Sequence, residues 1–168
     1  TSLEEQFKSE AEPQIDFKPL SEVDKVIEQA CSLGKVAKIR NGEARAYYSP
    51  IDDIINLPEK NLFCSLEEYY CTLFHECVHS TGHKDRLNRL TDSSILDDGH
   101  RGGYSKEELV AELGAAFLMR LFGVERKETF YNSAAYLKEW LSALRDNPDW
   151  IVWAANRGQQ SMKYMLDT

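Results

Sequence analysis

Apolar and polar positions change their period along this chain, and the changes divide it into three stretches. Residues 1–20 are acidic, carry Pro13 and Pro19 and hold no sustained period, which predicts an extended lead-in. Ser21-Glu22-Val23-Asp24 then reads as a helix N-cap with an acid three residues on. Val23, Val26, Ile27 and Ala30 continue at helical spacing, and Gly34 closes the element. Val36 to Arg40 alternates apolar and basic residues, as a half-buried strand does. Asn41-Gly42 signals a tight turn, and Ala44 to Tyr48 and Ile54 to Leu57 predict two more short strands.

After Ser65 the period is helical. Ser65 with Glu68 forms a capping-box pattern, and Leu66, Tyr69, Tyr70, Leu73, Phe74, Cys77 and Val78 mark one apolar face, with Gly82 as the stop. Residues 90–103 are polar and glycine-containing, which predicts a loop able to act as a lid. Ser105 with Glu108 repeats the capping box and opens a second long helix ended by Gly123. A third helix is predicted from Asn132 to Arg145, and a fourth follows Asn147-Pro148. Tyr131, Tyr136, Trp140, Trp150 and Trp153 on these helices read as core. The expectation is an α+β fold, mostly helical with a small N-terminal sheet, with residues 21–168 as a single domain.

Composition narrows the function classes. At 168 residues the chain has room for one domain with a proper core. A formal charge of −8 disfavours nucleic acid as a partner for this chain alone, because its nonspecific binders need a basic surface. No apolar run reaches the roughly 20 residues of a membrane span, and Thr1 to Glu5 lack the basic start of a secretory signal. Thr1 is not an initiator residue, so the chain reads as an excerpt of something longer or as trimmed. Cys31, Cys64, Cys71 and Cys77 show neither knuckle nor disulfide spacing. Reduced thiols and no membrane point to the cytoplasm.

Chemistry concentrates in His75-Glu76-Cys77-Val78-His79. Histidines four apart on a helix differ by about 40° in azimuth and one turn in height, so both imidazoles can meet one zinc ion. Glu76 projects beside the pair, where it can take a proton from water. With four histidines in the chain, the string arises by chance in roughly one such sequence per hundred. Both histidines fall opposite the centre of the apolar face of a capped helix, which accident does not require. A catalytic zinc takes a third protein ligand. Glu108 and Glu112 offer one solution: they share a stripe with Ala115 and Met119, while Leu109, Val110, Leu113 and Phe117 define another side. Asp85 offers a second, since the segment through Gly82 also fits His-Glu-x-x-His-x-x-Gly-x-x-Asp. His83 lies too close in sequence to complete the set and reads as a cap or substrate-side residue.

Several further segments sharpen this picture. Ala46-Tyr47-Tyr48-Ser49-Pro50, the histidine segment through His83, Arg86-Leu87-Asn88-Arg89, Glu107 to Phe117 and Asn132 to Leu141 together resemble the zincin domain of ArdC-type anti-restriction proteins and of polyvalent proteins of plasmids and phages. The resemblance covers about residues 40–165. It implies a gluzincin-like metallopeptidase with Glu108 as third ligand and Glu112 bracing a ligand histidine. It also implies a mobile-element setting, a peptide or protein substrate of host or element, and a parent protein with an N-terminal single-stranded-DNA-binding domain to which nothing here corresponds.

The expected mechanism is zinc-assisted peptide hydrolysis with Glu76 as general base. Tyr104, His100, Arg101 and Tyr136 are candidate donors to the oxyanion. Ile54 to Leu57 is the expected edge strand for an extended substrate.

Overall fold

The computed structural model describes residues 21–91, 106–124, 144–145 and 147–167. Helix α1 (Ser21–Ser32) turns Val23, Ile27 and Ala30 inward at helical spacing, and all three are buried. It ends where Gly34 takes a left-handed φ of +70°, a conformation that a side chain would strain.

Three strands follow: β1 (Lys38–Asn41), β2 (Tyr47–Ser49) and β3 (Ile54–Leu57). Their order is β1-β3-β2, with β1 parallel to β3 (Lys38↔Ile54, Asn41↔Leu57) and β2 antiparallel to it (Tyr47↔Asn56, Ser49↔Ile54). This corrects the expectation of an edge at Ile54–Leu57. That strand is central, paired on both sides, and cannot take up a peptide. Its burial explains why: Ile55, Asn56 and Leu57 are all inaccessible, as in a strand covered on both faces. The Asn41-Gly42 turn does not join neighbouring strands. Instead Asn56 Nδ2 donates to Glu43 O (3.2 Å) and Arg45 O (2.7 Å), pinning the connection across the sheet.

A short 3-10 turn (Lys60–Leu62) leads into α2 (Leu66–Thr81). Ser65 Oγ accepts from Glu68 N (3.1 Å), and Glu68 Oε2 accepts from Cys64 N (2.8 Å), so the capping pair forms with its return bond one residue earlier than Ser65. Ser65→Ala is expected to lower stability by about 1 kcal/mol in urea unfolding; no change would show that Glu68 caps the helix alone. Tyr69, Tyr70, Leu73, Phe74, Cys77 and Val78 are buried as the pattern predicted. Gly82 caps the far end with an ordinary φ of −75°. Its missing side chain serves approach: a Cβ there would lie 2.9 Å from Leu90 Cγ and 3.1 Å from Arg89 Nη2.

Helices α3 (Lys106–Leu121) and α4 (Asp149–Leu166) pack on α2 and on each other. Their closest approach is Gly114 against Gly158, with Val78 of α2 wedged beside it. Gly123, φ +66°, follows α3. Tight packing at Gly114 carries α3 over the side of α2 that bears His75 and His79. Those side chains are therefore largely covered, at 18% and 13% exposure, rather than facing open solvent.

The buried residues of all these elements join one hydrophobic core. Trp150 and Trp153 pack half-buried against it, with Lys106 over both rings and Arg157 3.9 Å above Trp153. The 1–20 lead-in, most of the 90–103 loop, the Ser105 cap and nearly all of the Asn132–Arg145 helix lie outside the described residues, as do Tyr131, Tyr136 and Trp140. Among the described residues no helix is long and apolar enough to cross a membrane.

Candidate metal centre

One turn of α2 places the two imidazoles face to edge, ring centroids 4.7 Å apart, with their Nε2 atoms 3.0 Å from each other. Helix α3 lowers Glu108 onto that pair: Oε2 lies 3.3 Å from His75 Nε2 and Oε1 3.4 Å from His79 Nε2. Among the described residues, His75, His79 and Glu108 are the group whose donor atoms, within 4.8 Å of one another, could hold an ion. The separations are informative. Ligands at 2.0–2.1 Å from a tetrahedral ion stand about 3.3 Å apart; the two Nε2 atoms are 3.0 Å apart, and the Glu108 carboxylate straddles them with one oxygen near each. The residues fit the ion.

Charge supports the same view. Burial alone would lower the His79 pKa, but Glu107 on one side and Glu108 on the other outweigh it and push it up to about 10. Burial would raise Glu108, yet hydrogen bonds from His75 and His79 hold it well below the usual carboxylate range. The pocket demands positive charge at the imidazole–carboxylate junction, which is where a cation would sit.

Glu76 is buried on the flank of the pair, and that burial raises its pKa; the neighbouring His79 and His75 work the other way, as, more weakly, does the nearby backbone N–H of Tyr48. Tyr48 is itself fixed. Its hydroxyl donates to Asp53 Oδ1 (2.9 Å), and Arg86 donates to the Tyr48 hydroxyl (3.3 Å) and to both Asp53 oxygens. Arg86 Nε also donates to Ser80 O (2.6 Å), so one guanidinium links the β2–β3 turn to the end of α2.

The other candidates sort clearly by position. Glu112 Oε1 lies 3.7 Å from His75 Nδ1, beyond a normal hydrogen bond. Asp85 is exposed and stands 3.6 Å from His83 Nδ1, away from the histidine pair. Tyr104, His100, Arg101 and Tyr136 lie outside the described residues. Two contributors escaped the sequence pattern. Glu107 Oε1 lies 3.3 Å from His79 Nδ1, and Arg89 grips the same carboxylate through Nε–Oε2 and Nη2–Oε1, both 2.8 Å. A helical stripe carrying two small residues was the available signal. Glu107, Ala111, Gly114 and Leu118 follow i, i+4, i+7, i+11, so the acid shares the face that packs closest.

Comparison with known proteins places this centre in context. A family profile described as zincin-like metallopeptidase matches residues 24–157. A DNA primase TraC of Escherichia coli is 37% identical over 131 residues, covering 77% of this chain and 12% of that protein. The crystal structure of the antirestriction protein ArdC from the R388 plasmid superposes with a TM-score of 0.66 at 36% identity in its metal-free form, over 85% of this chain and 48% of ArdC. Its Mn(II)-bound form gives 0.65 at the same identity, over 86% of this chain and 51% of ArdC. The chain thus spans about half of ArdC and a small part of TraC. The donor set and the family together imply a divalent metal. With the profile covering most of its length and the ligand-bearing helices in place, this chain belongs to the zincin-like metallopeptidase family.

Proposed function

We propose that the domain is a zinc-dependent peptidase in which His75, His79 and Glu108 hold the ion and Glu76 is the general base. The three-donor cluster carries the reading: the Nε2 atoms stand 3.0 Å apart, a different Glu108 oxygen lies 3.3 and 3.4 Å from each, and one donor atom per residue falls within 4.8 Å of the others. Two imidazoles and one carboxylate are a catalytic zinc set that leaves a position open. When bound, zinc supplies Lewis acidity, acidifying water and polarising the scissile carbonyl.

The remaining work belongs to the protein's own groups. The Glu76 carboxylate takes a proton from the attacking water and passes it to the leaving amine nitrogen. Tyr48 N–H holds that carboxylate in place, and burial keeps competing water away from it. Among the described residues strand β2 is an outer strand, and Tyr48 stands beside Glu76, so an extended peptide paired along its outer edge lies within reach of the base. Tyr104, His100 and Tyr136 stay candidates for the oxyanion donor. The net charge of −8 favours a protein target over nucleic acid. The relative's plasmid origin and antirestriction name support a target in the host or the mobile element.

Metal analysis tests the ligand set. Wild type is expected to bind one zinc per chain, His75→Ala and Glu108→Ala to lose it, and Glu112→Ala and Asp85→Ala to keep it. Loss with Asp85→Ala and retention with Glu108→Ala would overturn the assignment. A wild type that stays free of zinc after reconstitution would end the enzyme reading.

A further inference from the structure

A buried ion pair beside the centre does more than fill space. Arg89 and Glu107 are 5% and 4% exposed at their side chains. Every N–H of the guanidinium has an acceptor. Nε and Nη2 donate to the two Glu107 oxygens, Nη2 also to Val78 O (2.7 Å), and Nη1 to Thr81 Oγ1 and Ser161 Oγ (both 3.1 Å). The arginine therefore joins the last turn of α2, the start of α3 and the middle of α4. Gly82 keeps the space open, since a Cβ there would crowd Arg89 Nη2 at 3.1 Å.

We propose that Glu107, gripped by Arg89, is the positioning residue for His79, and that this grip decides which of the adjacent acids Glu107 and Glu108 reaches the ion. The inference rests on the metal reading above. Consecutive residues on a helix point about 100° apart, so Glu107 and Glu108 approach the same imidazole from opposite nitrogens: Glu107 at Nδ1, Glu108 at Nε2. With Glu107 accepting at Nδ1, the Nδ1–H tautomer is selected and Nε2 keeps its lone pair for the ion. The bidentate fork neutralises Glu107 and fixes both its oxygens, which keeps it a hydrogen-bond acceptor and leaves the open metal position free. Burial burdens an unpaired carboxylate heavily, so the arginine is what lets an acid stand there at all. Glu112, which the resemblance assigned the bracing role, is 44% exposed and 3.7 Å from the other histidine. That geometry gives it little hold.

The test measures zinc affinity by chelator competition and the visible d–d spectrum of the cobalt(II)-loaded protein, with far-UV circular dichroism confirming the fold. Glu107→Gln is expected to weaken zinc binding ten- to a hundredfold and to alter the cobalt spectrum, because an uncharged amide has one oxygen for donors that two carboxylate oxygens now serve, and its NH2 would face an Arg89 or His79 donor. Glu112→Gln is expected to match wild type in both. Should Glu107→Gln fail to fold with the arginine unneutralised, the uncharged pair Arg89→Gln with Glu107→Gln removes both charges and is expected to show the same loss. A Glu107 variant, single or paired, that is folded and equals wild type in affinity and spectrum overturns the proposal, as does a larger loss in Glu112→Gln. A wild type that binds neither zinc nor cobalt refutes the metal reading itself, a distinct failure.

Discussion

Replacing Glu76 by Gln is expected to lower kcat/KM for peptide cleavage by about 10³-fold or more, while zinc content stays at the wild-type level. The two halves of the expectation rest on different atoms. In the proposed ligand set metal retention rests on His75, His79 and Glu108, none of which the change touches. A glutamine oxygen can still accept from Tyr48 N–H, so the local fold has little reason to move. Proton transfer is another matter, because an amide cannot accept and return a proton at neutral pH. Peptide fragments resolved by mass spectrometry after incubation with mixed substrate libraries give the readout. Cleavage undiminished in the variant would remove Glu76 from the mechanism. A biological effect that persists while cleavage is lost would point to a zinc-holding interaction module.

Gly158→Ala is expected to be the most costly single methyl group in the described fold. Its Cβ would lie 2.8 Å from Gly114 N, 3.1 Å from Gly114 Cα and 3.2 Å from Val110 O. All three atoms are backbone, so relief requires α3 and α4 to separate rather than one side chain to turn. Alanine gains about 1 kcal/mol of helix propensity over glycine, which works in the opposite direction and loses. A net loss of about 3 kcal/mol follows from overpacking, or roughly 6–12 °C in Tm for a chain of this size. Gln159→Ala, next door on the exposed side of α4, serves as control and should be nearly neutral. Because the same contact sets where Glu107 and Glu108 stand over α2, Gly158→Ala should also weaken zinc binding. A stable variant with unchanged affinity would show that α3 is positioned from elsewhere.

Much of the centre was legible before any fold was known, and unevenly so. His75, Glu76 and His79 belong to one helix, and an ideal helix fixes their mutual placement through its 3.6-residue turn. The cap at Ser65 and the apolar run from Tyr69 to Val78 are equally local. Even the stop at Gly82 was readable, although its reason was not: the backbone there is ordinary, and the space belongs to Arg89 and Leu90.

The sheet was less legible. Three short strands are visible as alternation and turn residues, but their order is a matter of pairing between segments. Asn41-Gly42 suggests adjacency in sequence, whereas β3 slips between β1 and β2 and takes the middle. Among the described residues the outer strand near the base is therefore β2.

Sequence alone placed His75, Glu76 and His79 together on one capped helix, because their relation follows from periodicity within one element, and left the third donor open among Glu108, Glu112 and Asp85. Tertiary structure decided which acid stands against both imidazoles. Three glutamates lie on the first two turns of α3, and a rotation of that helix by one residue's worth of azimuth, about 100°, would exchange their roles. Packing of Gly114 on Gly158 and Val78 sets the rotation; Arg89 then claims Glu107 and leaves Glu108 to the histidines. The partners in that choice sit 18 residues or more apart, beyond the reach of any local period.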